Sequence, residues 1–65
     1  MNRQDAYKLM LSGKKITHID FTDNEYLEIK DVKSMTILTE DGYAFTEEFW
    51  TRNRLSDNWR EYNVR

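Results

Sequence analysis

The chain contains no cysteine and no proline, and only one of its 65 residues is a histidine. Without cysteine it can form neither a disulfide nor a thiolate metal site. His18 alone cannot supply the several imidazole ligands that a histidine-based zinc site needs. The composition therefore predicts a domain with no metal and no cofactor.

Long apolar runs are also missing, since none approaches the roughly 20 residues that cross a bilayer. The beginning, MNRQD, lacks the pattern of a signal peptide. We therefore expect a cytoplasmic protein that binds no membrane. The formal charge of −2, with both signs interspersed, argues against a binder of DNA or RNA. Basic residues are nonetheless concentrated near the end of the chain: Arg52, Arg54, Arg60 and Arg65.

A hairpin signal is the clearest feature that is present. In Met35–Phe45, two runs rich in β-branched and aromatic residues flank Asp41 and Gly42, and Asp-Gly is a strong hairpin signal. A two-residue Asp-Gly loop would pair Leu38 with Phe45. The register matters because a slip of one residue moves every side chain to the opposite face of the sheet.

A three-residue loop over 40–42, with Gly42 in the left-handed region, gives the alternative register. It pairs Ile37 with Phe45 and Thr39 with Tyr43. We prefer this register because it gathers large apolar side chains on one face, namely Met35, Ile37, Tyr43 and Phe45.

The chain before the hairpin predicts one helix and two strands. Asn2 is a suitable N-cap with Asp5 three positions later, and Gly13 supplies the C-terminal stop of a helix of about ten residues. Alternating apolar residues predict strands over Lys15–Phe21 and Glu25–Lys30. The inward residues of the second strand are Leu27 and Ile29.

After the hairpin, Thr46 is expected to cap a short helical turn with two glutamates at its positive end. The polar segment Thr51–Asp57 is a loop or a further helical turn, and the alternating segment Asn58–Val64 is a closing strand. The chain, 1–65, is thus predicted to be a single α+β domain. One N-terminal helix packs on a small antiparallel β-sheet of about five strands.

The small size of the domain also predicts self-association. A chain of this length buries little apolar surface, so such domains usually depend on disulfides, a metal or a partner subunit. Because the composition disfavours the first two, we predict a homo-oligomer, either a dimer or a tetramer.

The sequence shows no set of residues that could act together in catalysis. His18 and Asp20 are expected to share a strand face within hydrogen-bonding reach, an arrangement more often found as a surface contact than in catalysis. The adjacent carboxylates Glu47 and Glu48 point in different directions on a helix, so they form no shared acid/base site. We therefore predict that the protein is not an enzyme.

The most suggestive chemical pattern is a cluster of aromatic and basic residues after the hairpin, FWTRNR over 49–54 and SDNWR over 56–60. Aromatic rings with guanidinium and amide groups can stack a base and hold a phosphate. A small domain also buries its largest rings first. Phe49, Trp50 and Trp59 are therefore candidates for the core, which is the more frequent role, or for ligand contacts.

Short segments along almost the whole chain resemble a family of small phage domains. Residues 11–16, LSGKKI, are similar to the family's lk-x-G-K-K-V segment, and residues 55–61, LSDNWRE, are similar to its closing L-L-A-x-D-W-E. Three further segments lie between these two in the same order as in the family, namely Tyr26-Leu27, Asp41-Gly42 and Phe49-Trp50-Thr51.

The family is the phage Thoeris anti-defence sponge family. Its members share a helix-plus-antiparallel-sheet fold, form homo-oligomers, and bind cyclic ADP-ribose-type signals or cyclic dinucleotides without cleaving them. The resemblance therefore implies a phage protein in the host cytoplasm. Such a protein sequesters a cyclic nucleotide immune signal and blocks bacterial anti-phage defence.

The resemblance also implies a ligand site. Phe21 stands where the family has a tryptophan and would stack on adenine, while Asp57 and Asn58 would hydrogen-bond the base or ribose. Arg52 and Arg54 are further candidates, chosen because guanidinium groups bind phosphate. The complete set of predicted ligand-binding residues is Phe21, Trp50, Arg52, Arg54, Asp57 and Asn58.

The chain departs from the family between Trp50 and Leu55, where a shorter segment lacks the usual Pro-Ser turn. This departure leaves two alternatives open. One is a different nucleotide. The other is a small phage protein-interaction module that inhibits a host enzyme by direct binding, through the hairpin or an aromatic patch.

Overall fold

The computed structural model describes residues 1–63, so Val64, the predicted end of the closing strand, and Arg65 lie outside the described residues. Within 1–63 the elements are α1 (Arg3–Leu11), β1 (Ile16–His18), β2 (Leu27–Glu28), β3 (Leu38–Thr39), α2 (Thr46–Thr51), a 3₁₀ turn (Asn53–Leu55) and β4 (Trp59–Glu61). The strands form one antiparallel sheet in the order β3-β2-β1-β4. The predicted α+β class is confirmed. In this part of the chain no helix is long and apolar enough to cross a membrane.

Helix α1 begins and ends where the sequence predicts. The Asn2 Oδ1 atom accepts a hydrogen bond from the Asp5 N–H at 2.8 Å, which satisfies one of the free donors of the first turn. Gly13 follows the helix with φ +93°, and its N–H donates to the Met10 carbonyl at 3.0 Å. The helix packs on β1 and β4 and buries Ala6 and Met10 completely.

The hairpin adopts the register with the three-residue loop. The Thr39 N–H donates to the Tyr43 carbonyl at 2.8 Å, and the Phe45 N–H donates to the Ile37 carbonyl at 2.7 Å. Gly42 has φ +86°, the left-handed conformation that this loop requires. The preferred pairing is therefore confirmed.

The return arm of the hairpin is shorter than predicted. It forms only an isolated bridge between Ala44 and Leu38. The next carbonyl, that of Phe45, accepts from the Phe49 N–H at 2.9 Å, which is the first hydrogen bond of α2. Because the helix begins directly after the bridge, the arm is not a separate strand, and residues 1–63 contain four strands rather than five.

Two local predictions around the hairpin are wrong. Met35 and Tyr43 do not join the core face, since they are 44% and 72% exposed. Thr46 lies inside α2, whose N-cap is Phe45 and has no side-chain cap. The Thr46 hydroxyl instead accepts from the Ile37 N–H at 2.9 Å, so it stabilises the hairpin rather than the helix start.

The first two strands are also shorter than predicted. β1 ends at His18 because the Phe21 N–H donates back to the His18 carbonyl at 2.9 Å, which turns the chain. The second predicted strand is reduced to β2. Its inward residues, Leu27 and Ile29, are nevertheless buried as predicted.

One face of the sheet and both helices contribute to the core. Trp59 is 2% exposed, and its indole Nε1 donates to the Leu55 carbonyl at 2.7 Å, so its only polar atom is satisfied. Phe49 and Trp59 are therefore core residues, whereas Trp50 is 40% exposed. The buried hydrophobic residues are Ala6, Met10, Ile16, Leu27, Ile29, Ile37, Phe49, Leu55 and Trp59.

Candidate functional site

A groove lies between the turn that follows β1 and the segment that follows α2. We call it the arginine groove. Its volume is about 660 Å³, within the range of small-molecule sites. The structure thus brings together half of the predicted ligand-binding residues, Phe21, Arg52 and Arg54. The residues that line the groove are Asp20, Phe21, Arg52, Asn53, Arg54 and Leu55.

Phe21 provides the aromatic wall of the arginine groove. Its ring is half-buried and meets the rings of Trp59 and Phe45 at 88°, with centroid distances of 5.6 and 6.4 Å. Edge-to-face contacts of this kind favour one orientation of the ring. A ring held in this way offers a preformed surface for stacking a planar ligand.

His18 fixes the turn that carries Phe21. Its Nδ1 accepts a hydrogen bond from the Asp20 N–H at 3.0 Å, which places the ring proton on Nε2. Nε2 then donates to the Asp57 carbonyl at 2.7 Å. The imidazole therefore joins the turn after β1 to the turn before β4.

The expected surface contact between His18 and Asp20 is wrong in two respects. His18 is only 1% exposed, and it hydrogen-bonds the backbone of Asp20 rather than its carboxylate. The carboxylate Oδ2 lies 3.8 Å from Nδ1, beyond hydrogen-bonding distance. His18 shares the core-facing side of β1 with Ile16 and stands opposite Trp59, so its ring is covered, whereas the chain turns away before Asp20.

Arg52 is held through both its backbone and its side chain. It is the C-cap of α2, with an extended backbone that leads the chain into the groove. Its guanidinium lies over the Phe45 ring, 5.6 Å from the centroid, a distance at which a cation is attracted to the ring face. Its carbonyl accepts a hydrogen bond from the Arg3 guanidinium.

Arg54 is the more accessible cation of the groove. Its side chain is 84% exposed and lies 3.4 Å from the Asp20 carboxylate, which is 45% exposed. An ion pair this exposed contributes only about 0–1 kcal/mol, so an anionic ligand can replace Asp20 at small cost. With two guanidinium groups and one carboxylate, the arginine groove carries a positive balance that favours anions.

The other predicted residues lie outside the arginine groove. Trp50 packs edge-on against Tyr7, with ring centroids 5.0 Å apart. Asp57 and Asn58 form the turn before β4, where the Asp57 carboxylate accepts from the Asn58 N–H at 2.8 Å and Asn58 has φ +71°. Their roles in ligand binding stay predictions.

Sequence reasoning missed Asp20, Asn53 and Leu55 as groove residues. The only signal for Asp20 was its position beside Phe21. Asn53 and Leu55 belong to the 3₁₀ turn, and a turn this short has no periodicity from which a shared face can be derived. Their place in the groove depends on tertiary packing.

Carboxylate clusters do not create a metal site in the described part of the chain, where no group of three or more potential ligands is placed to hold an ion. Glu47 and Glu48 lie in the first turn of α2, as the sequence predicts. There they interact favourably with the positive end of the helix dipole.

Comparison with known proteins gives no match to a family model, a curated protein or a solved structure. The resemblance to the sponge family, which depends on short segments, therefore stays a prediction. The geometry of the arginine groove is the observation on which a functional proposal can be based.

Proposed function

We propose that this protein is a phage sponge that binds a cyclic nucleotide immune signal and holds it without cleaving it. The ligand is of the cyclic ADP-ribose or cyclic dinucleotide type, and its sequestration in the host cytoplasm blocks anti-phage defence. The observation that supports this proposal is the arginine groove, in which one aromatic ring and two guanidinium groups line a single cleft. A base and its phosphates need these groups.

The arrangement of the groove suggests how such a ligand binds. The base stacks against Phe21, whose orientation is set by Trp59 and Phe45. Arg52 and Arg54 bind phosphate oxygens, for which the planar guanidinium is well suited. Phosphate competes with the Asp20 carboxylate for Arg54, and this exchange replaces one ion pair by another.

The composition of the groove favours binding over hydrolysis. The side chains that line it offer two guanidinium groups, one amide, one carboxylate and two apolar groups. None of these lining side chains carries a hydroxyl, thiol or imidazole, the groups that most often serve as nucleophile or general base. A ligand held there is expected to be released unchanged.

Homo-oligomer formation, as a dimer or tetramer, is part of the proposal. The small domain leaves large apolar side chains exposed, among them Ile19 and Tyr43 at 72% and Val32 at 56%. Burial of such side chains against a second copy would add apolar contact area. Native mass spectrometry of the purified protein measures the number of subunits and any co-purified nucleotide together.

Calorimetric titration with cyclic dinucleotides and cyclic ADP-ribose isomers tests the nucleotide proposal. We expect binding by at least one of these ligands, and its affinity should fall by roughly tenfold or more in Arg52→Ala and in Arg54→Ala, because each loses a charge-assisted hydrogen bond. Lys33→Ala removes one exposed positive charge outside the groove and is the matched control. Chromatography of the ligand recovered after heating the complex should show it intact.

Two outcomes would count against the sponge proposal. One is the absence of binding across the whole panel, and the other is turnover of a ligand during the titration. Retention of a host enzyme on the immobilised protein after nucleotide removal would instead support the alternative of a protein-interaction module.

A further inference from the structure

A second groove lies on the other side of β1, between the turn over residues 22–25 and strand β4. We call it the tyrosine groove. Its volume is about 780 Å³, also within the range of small-molecule sites. The residues that line it are Thr17, Thr22, Asp23, Asn24, Arg60, Glu61, Tyr62 and Asn63.

The turn that forms one wall of the tyrosine groove is held by Glu25. The Glu25 carboxylate accepts from the Thr22 N–H at 2.8 Å, and the Glu25 N–H donates to the Thr22 carbonyl at 3.1 Å. The Glu25 carbonyl in turn accepts from the hydroxyl of Thr17 on β1 at 2.8 Å. These contacts pre-organise the turn that presents Asp23 and Asn24.

Tyr62 forms the aromatic part of the opposite wall. Its ring stacks on Tyr26 with centroids 4.8 Å apart and planes tilted by 36°, and the Lys15 ammonium lies 4.6 Å from the centroid of Tyr26. The Tyr62 N–H donates to the Lys15 carbonyl at 2.8 Å. The ring that lines the groove is therefore supported by a second ring and by strand pairing.

Residues with planar polar side chains line the same groove as Tyr62. Asp23, Asn24 and Asn63 line the groove, and their side chains make no hydrogen bond to residues 1–63. Amide and carboxylate groups can pair in a bidentate manner with the donor and acceptor edges of a heterocycle. A stacking ring with such groups around it is the arrangement by which proteins bind unpaired bases.

The charged side chains of the tyrosine groove determine which part of a base-containing ligand fits there. One guanidinium, that of Arg60, stands with one carboxylate, that of Asp23, because Glu61 pairs with the buried Ile16 and so lies on the opposite face of the sheet. This balanced pair gives a phosphate group no net attraction, in contrast to the positive balance of the arginine groove. The uncharged base is the part of such a ligand that fits.

We propose that the tyrosine groove is a second binding site, specific for an uncharged planar heterocycle such as a nucleobase or a nucleoside. The ring stacks on Tyr62, and its polar edge pairs with Asn24 and the neighbouring planar groups. The site does not depend on binding in the arginine groove, and addition of a 5′-phosphate to the ligand does not strengthen its binding.

Backbone amide chemical shifts recorded during titration test this site. The probes are adenosine, guanosine, cytidine and uridine, their free bases, the corresponding 5′-monophosphates, and ribose alone, at concentrations up to roughly 10 mM, which saturate even a millimolar site. We expect at least one nucleoside or base to shift the amides of Asp23, Asn24 and Tyr62, with no tighter binding of its monophosphate. Ribose alone should leave these amides unchanged.

Variants in both walls of the groove test the contacts. Tyr62→Leu should lower nucleoside affinity by roughly fivefold or more because base stacking is lost, while Tyr62→Phe retains the ring and most of the affinity. Asn24→Ala lies in an exposed turn and should lower the affinity roughly twofold to tenfold without affecting the fold. Arg54→Ala should leave nucleoside binding unchanged, which separates this site from the arginine groove.

The proposal is overturned if no nucleoside or base shifts the groove amides, or if the affinities of the Tyr62→Leu and Asn24→Ala variants equal that of the parent protein. It is also overturned if ribose produces the same shifts as adenosine, since the base would then not be recognised. Tighter binding of the monophosphate at these amides would contradict the balanced charge of the groove.

Discussion

The arginine groove and the tyrosine groove use similar parts but differ in charge. Each contains an aromatic ring packed against another ring, and each contains exposed guanidinium and amide groups. In the arginine groove two guanidinium groups stand with one carboxylate, whereas in the tyrosine groove one guanidinium stands with one carboxylate. The comparison teaches that charge balance, rather than aromatic content, distinguishes the ligands we propose for the two grooves.

The two grooves also differ in how they are held in place. The arginine groove is built on irregular chain, and the buried His18 links the turns beside it. The tyrosine groove is built on the pairing of β1 with β4, where Thr17 stands opposite Arg60. A substitution in an element that both grooves share should therefore affect both, and one in an element of a single groove should affect that groove alone. A substitution away from these elements should affect neither.

Trp59→Ala should have the largest effect because this side chain supports both grooves. Its ring contacts Phe21 beside the arginine groove, and its strand forms a wall of the tyrosine groove. Loss of a buried tryptophan costs about 3–5 kcal/mol, a large fraction of the stability of a small domain. Thermal melting by circular dichroism should show loss of the folded state and of both binding activities. Tyr43→Ala, at an exposed aromatic position of the hairpin outside both grooves, is the control, and full binding by Trp59→Ala in either groove would disprove the shared support.

His18→Leu should destabilise the arginine groove selectively. The substitution keeps an apolar side chain but leaves the Asp20 N–H and the Asp57 carbonyl without their partners, at a cost of about 2 kcal/mol. Urea unfolding measures this cost, and amide shifts should change around the arginine groove. Equal changes at Asn24 in the tyrosine groove would show that the two grooves are coupled rather than separate.

Gly42→Ala should weaken the hairpin and affect neither groove. Nothing lies within 4 Å of the added methyl group, so no clash arises. The cost comes from the left-handed backbone at φ +86° and is about 1 kcal/mol. We expect a lower melting temperature with unchanged affinities in both grooves. A changed affinity in either groove would mean that the hairpin loop contributes to that site.

Asp20→Asn should have the smallest effect on stability, but it should increase the preference of the arginine groove for anionic ligands. The ion pair with Arg54 is exposed, so its loss changes the stability by less than about 1 kcal/mol. Removal of the carboxylate raises the positive balance of the arginine groove, and nucleotide affinity at low salt should rise by roughly fivefold. Asp23→Asn is the matched change in the tyrosine groove. If it raised nucleotide affinity as much as Asp20→Asn, the effect would not be local to the arginine groove.

Local chemistry made the hairpin and α1 predictable. Asp-Gly with a left-handed Gly42 fixed the loop length, and the Asn2 cap and Gly13 stop fixed the helix ends. The wrong predictions depend on tertiary structure. Thr46 bonds to the Ile37 N–H instead of capping α2, because the start of the helix packs against the hairpin.

The candidate site was predictable only in part for the same reason. The family resemblance indicated Phe21, residue type indicated Arg52 and Arg54, and folding placed all three in one groove. The ion pair of Asp20 with Arg54 required the turn after β1, which strand alternation did not show. The tyrosine groove joins residues from distant parts of the chain, so no single segment indicated it.

The backbone at the two margins of the sheet restricts how copies of this protein can associate. At the β4 margin, the Trp59 N–H donates to the Met1 carbonyl at 3.0 Å and the Trp59 carbonyl accepts from the Met1 nitrogen at 2.7 Å. At the β3 margin, the return arm of the hairpin hydrogen-bonds the outward backbone groups. The Thr39 N–H donates to the Tyr43 carbonyl, and the Ile37 carbonyl accepts from the Phe45 N–H. Strand addition from another copy is therefore obstructed at these positions. The proposed homo-oligomer is accordingly expected to form through side chains on the faces of the domain rather than through a sheet that continues from one copy to the next.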